Sequence, residues 1–202
     1  MKTAALERTI RRGWPQPAER CALCGTDVAD QHPHLLDTAR QVPVCTCPAC
    51  HLLFEGPTAS PGRFLAIPDR RMPVEGVVPA ELGIPVGLAF FTLRAAGEVE
   101  ARYPSPLGAT RWDVPPAAWA ATIQRAPVLS GLAPEVEALL VNTTASRRSA
   151  WIVPVTDCYR LVGLVRQHWE GLSGGDMVRA QTAHFFDQLE KGGNSDGTHT
   201  RR

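Results

Sequence analysis

The sequence predicts an α+β protein: a four-cysteine module near the N-terminal end, packed on an antiparallel or mixed β-sheet, with two helices closing the chain. Five of the six cysteines fall between Cys21 and Cys50, as the pairs Cys21/Cys24 and Cys47/Cys50 plus Cys45. The apolar run Val86–Leu93 suits a strand buried on both faces. Beyond residue 155 apolar residues recur at helical spacing in two successive stretches.

Residues 1–17 read as an N-terminal extension. Ala4, Leu6 and Arg8 suit a short helix, which Gly13, Pro15 and Pro17 would end. Arg8, Arg11 and Arg12 take the place of the apolar segment of a secretory signal. No run approaches the roughly 18 apolar residues of a membrane span. The expectation is a cytoplasmic protein, where paired cysteines bind metal more often than they form disulfides.

Residues 18–56 form the cysteine module. Each Cys-x-x-Cys pair can close a tight turn that aims two thiolates at one point. Two such turns facing one another make a tetrahedral S4 cage, as in zinc knuckles and zinc ribbons. The expected ligands are Cys21, Cys24, Cys47 and Cys50, and the expected ion is Zn2+. Residues 25–46 separate the pairs, just beyond the commonest zinc-ribbon spacing. Gly25 can take the positive φ that closes a knuckle, Pro48 stiffens the second turn, and His51 stands where a second glycine would. Cys45 could replace Cys47, and His32, His34 or His51 could make the site Cys3His. His34, beside Leu35 and Leu36, reads more as a packed or capping residue than as a ligand. A rubredoxin-like iron site has the same S4 geometry, so spacing leaves Fe open as the alternative. Four thiolates leave no open coordination position, which points to a structural metal.

Leu52, Leu53 and Phe54 would dock this module onto the rest, and the Gly/Pro-rich stretch 56–62 reads as a linker. The α+β domain is expected over residues 63–190. Arg63–Pro68 alternates as a strand, and Asp69-Arg70-Arg71 after it reads as solvated surface. Val86–Leu93 turns at Ala96-Gly97 and returns through Val99–Tyr103. Tyr103–Thr110 reads as a Pro-rich crossover loop, with Ser105 and Thr110 as possible pocket donors. Asp113 would cap a helix begun by Pro115 and Pro116, carrying Trp119 and Ile123. Val136–Asn142 and Ala150–Val155 form a second hairpin, with Pro154 marking an edge or a strand end. In the first closing helix Cys158, Leu161, Val162, Val165 and Trp169 make one stripe, with Asp157 as N-cap and Gly171 just past the end. Ser173-Gly174-Gly175-Asp176 reads as an interhelical turn. The second helix buries Val178, Phe185, Phe186 and Leu189, and residues 191–202 read as a disordered tail.

Composition narrows function. The chain has 202 residues, 44% hydrophobic, with 21 basic against 20 acidic side chains. That balance sets up no field to steer it toward nucleic acid or membrane. A zinc-ribbon nucleic-acid binder would want a basic, aromatic-rich face, which the sequence does not offer. Cys158 and His168 lie ten positions apart in one helix, about 15 Å along its axis, so they cannot form a dyad. Cys158 reads as core. No nucleophile elbow, metalloprotease or dinucleotide motif occurs, and the residues do not support an enzyme.

Several stretches together resemble one family. They are Cys-Ala-Leu-Cys-Gly at 21–25, His-Pro-His-Leu-Leu-Asp at 32–37, and the run from Cys45 to Phe54. Leu82–Phe91, Tyr103–Thr110 and Asp157–Gly175 complete the set. The chain is similar to an uncharacterised bacterial family, a domain of unknown function, encoded beside [NiFe]-hydrogenase structural and maturation genes. The likeness covers roughly residues 18–190. It implies an accessory role, with a hydrogenase subunit or maturation factor as partner, and carries over no catalytic residues. Its Cys/His pattern falls on Cys21, Cys24, His34, Cys45, Cys47 and Cys50 without assigning ligands among them. An iron electron carrier serving the hydrogenase is the alternative role.

Overall fold

A computed structural model describes residues 19–54, 62–83, 87–144, 148–171 and 174–193. The helix expected in 1–13, most of the 56–62 linker and the tail beyond 193 lie outside the described residues. The chain divides into two compact units, the first running through Ala66 and the second starting at Ile67.

In the first unit β1 (His34–Asp37) is flanked by β2 (Val42–Cys45) and β3 (Phe64–Ala66), both antiparallel to it. Leu35 and Leu36, adjacent and therefore on opposite faces, are 0% and 2% exposed. The β1–β2 turn is closed by Asp37, whose Oδ1 accepts from the Ala39 and Arg40 amides, with Gln41 at a left-handed φ of 56°. Phe64–Ala66 was expected to open the second domain. It instead completes the small sheet, pairing Ala66 with Leu35 and Leu65 with Leu36, because the backbone amides and carbonyls of a buried strand need a partner on each side. A short helix α1 (Pro48–Leu52) follows β2. Leu52 and Leu53 are each 63% exposed, and Phe54 meets Phe64 edge-on at 5.6 Å within the unit.

The second unit is built on six antiparallel strands. They are β4 (Met72–Pro73), β5 (Leu88–Leu93), β6 (Val99–Ser105), β7 (Gly108–Asp113), β8 (Glu137–Asn142) and β9 (Ser149–Pro154), in the order β4-β9-β8-β5-β6-β7. Side chains alternate between two cores. Phe91, Leu139, Val141 and Ile152 join Trp119 of α2 (Pro116–Arg125) on one face. Phe90, Leu140, Trp151 and Val153 meet α3 (Val155–His168) and α4 (Gly175–Gly193) on the other. The closing helices thus cover one face as expected, and α2 with two 3-10 turns covers the opposite one.

Five local expectations change. Tyr103–Thr110 is not a crossover loop: Tyr103 pairs with Thr110 and Ser105 with Gly108, so β6 and β7 form a tight hairpin with Leu107 at its tip, 96% exposed. Asp113 ends β7, and Pro115 takes the helix N-cap position without a side-chain hydrogen bond. Asp157 sits inside the first turn of α3, whose N-cap is Pro154. There Asp157 is 4% exposed and accepts from Arg71, while Glu137, 3% exposed, accepts two hydrogen bonds from Arg70, at 2.8 and 2.6 Å. The Asp69-Arg70-Arg71 cluster is therefore not simply solvated: it neutralises two buried carboxylates. The expected tail begins later, because α4 runs through 191–193.

Candidate metal centre

The first knuckle is closed by backbone hydrogen bonds from the Cys21 amide to the Thr26 carbonyl, 2.8 Å, and from the Gly25 amide to the Cys21 carbonyl, 2.9 Å. Gly25 has φ 75° and empty space where a side chain would begin, so its role is conformational. Arg20 and Asp27 flank the knuckle as a bridge and an ion pair at 3.0 Å. The second pair is built differently. Cys47 is the N-cap of α1, its sulfur accepting from the Cys50 amide at 3.4 Å, and Pro48 follows with the φ a helix start needs. His51 is a helical residue, which is why no glycine is required there. The Ala22 amide donates to the Cys45 carbonyl at 2.9 Å, tying the knuckle to the end of β2.

These elements bring the sulfurs of Cys21, Cys24, Cys47 and Cys50 within 4.8 Å of one another. Cys24 Sγ and Cys47 Sγ are 3.7 Å apart. A zinc–sulfur bond of about 2.3 Å in a tetrahedron gives an S···S edge of about 3.8 Å, so this spacing fits a metal–thiolate cage. All four cysteines are free thiols. Burial pushes Cys21 up, but the backbone amides around it, those of Cys24, Cys47 and Leu23, outweigh burial and bring it to about 6. The Thr26 hydroxyl and amide hold Cys24 below its usual value. Cys50, sharing hydrogen bonds with Cys47 and partly desolvated, is pushed up to about 12. Four thiols this close cannot all ionise alone, and a divalent cation is what lets them do so.

Cys45 and His34, considered as substitute ligands, do not join this group. They form a second cluster with His32, again with one ligand atom from each within 4.8 Å. The β1–β2 register sets His34 opposite Cys45, with His34 Nε2 3.9 Å from Cys45 Sγ. The His32 and His34 rings lie 4.6 Å apart. Burial and the neighbouring His32 lower the His34 pKa, and burial followed by Glu19 raises that of Cys45. Cys158 is far from this chemistry in sequence and in setting: it is 0% exposed in the core against α3 and α4, and burial holds its thiol well above the usual range.

Residues 20–193 match the model of a family described as "Family of unknown function (DUF5947)". The chain belongs to that family. No curated protein and no solved structure shows significant similarity to the chain. Family membership therefore covers both the cysteine module and the six-stranded unit. No described helix is long and apolar enough to cross a membrane.

Proposed function

We propose that the chain is a zinc-binding accessory protein that docks onto a [NiFe]-hydrogenase subunit or maturation factor during assembly of the enzyme. The metal part rests on one observation, the four sulfurs from two separate segments gathered within 4.8 Å. Zinc is favoured over iron because the second pair opens a helix instead of a second glycine-closed knuckle. Small residues after each pair are what let amides approach the sulfurs of an electron-transfer iron. The hydrogenase part rests on the resemblance alone. A docking role is supported by Leu23, Leu52 and Leu53, which leave apolar surface exposed on the metal unit.

Metal analysis with an absorption spectrum, on protein purified without a metal-binding tag, tests the first part. Zinc in a colourless sample is expected; iron with thiolate charge-transfer bands would replace this role with electron transfer, and a metal-free protein would remove the cage. Co-expression with tagged hydrogenase subunits tests the second. Co-purification that the Leu52→Glu/Leu53→Glu variant abolishes is expected. Failure to recover the chain with either subunit, with hydrogenase activity unchanged in a deletion strain, would overturn it.

A further inference from the structure

We propose that His32, His34 and Cys45 hold a second metal ion, zinc or another divalent transition metal, with the Glu19 carboxylate beside the remaining coordination position. The site uses none of the four S4 ligands. One atom from each of the three residues lies within 4.8 Å of the others. The 3.9 Å from His34 Nε2 to Cys45 Sγ is close to the edge of about 3.6 Å that a tetrahedral zinc bound to one nitrogen and one sulfur would span.

The geometry of His32 points to a cation. Its Nδ1 is 2.7 Å from the Ala29 carbonyl, which only accepts, so Nδ1 carries the proton and donates it. In the neutral ring that leaves Nε2 as a bare lone pair. Metal-bound histidines are held in this way, the far nitrogen tied to a backbone carbonyl so that tautomer and ring direction are set. The His32 side chain is 4% exposed, and Nε2 is buried without a hydrogen bond. Glu19 Oε2 stands 3.5 Å from it. Two lone-pair atoms facing one another at a buried nitrogen repel unless a positive charge lies between or beside them. A proton on Nε2 would give an ion pair with Glu19 at 3.5 Å and still leave the buried nitrogen without a hydrogen bond. A metal ion shared with His34 and Cys45 satisfies His32 Nε2 and lies beside the Glu19 charge.

The donor set of two imidazoles and a thiolate, with a carboxylate nearby, suits zinc and its spectroscopic substitute cobalt(II). It also differs in kind from the S4 cage. Glu19 is 64% exposed, so the fourth position is reached from solvent and can exchange its ligand, whereas four thiolates close a site.

The test is cobalt(II) titration of the metal-free full chain, followed by absorption in the thiolate charge-transfer and d–d regions. Two equivalents are expected, one with four-thiolate intensity and one with the weaker charge transfer of a single thiolate. Cys45→Ser and His32→Ala each reduce the stoichiometry from two to one and keep the four-thiolate bands. Glu19→Gln weakens the second equivalent on the order of tenfold and leaves the first unchanged. X-ray absorption at the zinc edge of the wild-type protein gives a readout that needs no variant: a shell of sulfur mixed with imidazole nitrogen is expected. One equivalent with a sulfur-only shell would overturn the second site and leave the S4 cage standing. Two equivalents retained in both Cys45→Ser and His32→Ala would overturn the assignment of its ligands.

Discussion

Stripping the metal from the intact chain should unfold the first unit and spare the second. The structure supplies the magnitude. Of the fully buried apolar side chains among the described residues, only Cys21, Leu35 and Leu36 lie in the first unit. Cys21 is a metal ligand in this reading, so the apolar part is the two leucines at about 2 kcal/mol each, about 4 kcal/mol together, an upper bound because the unfolded chain already hides part of that surface. A structural zinc supplies about 10–16 kcal/mol in small domains, so a metal held by the four cysteines would outweigh the sheet as a stabilising contribution. The second unit instead has two apolar cores, one on each face of six strands. Hydrogen exchange by mass spectrometry, with and without a strong chelator, reads both units in one experiment. Removing a contribution larger than the apolar burial leaves the unit unfolded, so amides of His34–Asp37 should exchange at the rate of an unstructured chain. Amides of Leu88–Leu93 and Glu137–Asn142 should not change. Protection at Leu35 and Leu36 that survives verified metal removal would refute the reasoning, because the two buried leucines would then be enough.

Further outcomes follow from the same structure. Metal affinity should rise with pH. Cys50, pushed up to about 12, is protonated in the metal-free form at working pH, and its proton must leave when metal binds. Below about 6 Cys21 becomes protonated too, so a plot of affinity against pH should steepen there as pH falls; competition with a chromogenic chelator measures it, and a flat profile would count against thiolate ligation. Gly25→Ala, forced to keep φ near 75°, should cost about 1 kcal/mol and weaken metal binding about fivefold in the same assay. In native protein Cys158 should resist a thiol reagent until denaturant is added, as expected for a 0% exposed thiol whose pKa burial raises; fast labelling would contradict its core position. Arg70→Met leaves Glu137 buried with only the Ala133 amide, and should destabilise the second unit by about 2 kcal/mol, less than a fully buried pair because Arg70 is 38% exposed. Chemical denaturation of the double variant with Glu137→Gln should recover part of that loss, and simple additivity would show that the pair is not coupled.

The S4 group and the strand buried on both faces were legible because each has a short-range signature. Cys-x-x-Cys aims its sulfurs by local geometry, and Phe90-Phe91 sends consecutive rings to opposite faces of β5. What escaped depends on pairing between distant residues. The turn Thr38-Ala39-Arg40-Gln41 has neither glycine nor proline, so nothing in it announced the hairpin that sets His34 against Cys45. His32-x-His34 at strand spacing was the available signal, and it became a site only once that register was known. Arg70 and Arg71 looked like surface because their carboxylate partners are 67 and 86 positions away. Tyr103–Thr110 read as a loop because its prolines outweighed the two-residue turn; Pro104 is accommodated in β6 near the hairpin end.

The two margins of the six-stranded sheet are unequal. β4 has two residues, one of them Pro73, which has no amide hydrogen to offer an incoming strand. β7 has six, pairs on one side with β6, and leaves Trp112 half exposed. Among the described residues β7 pairs only with β6. Setting β7 against β7 of another copy about a two-fold axis would use up both of those margins, so that mode of association ends at a pair and does not propagate into a fibre.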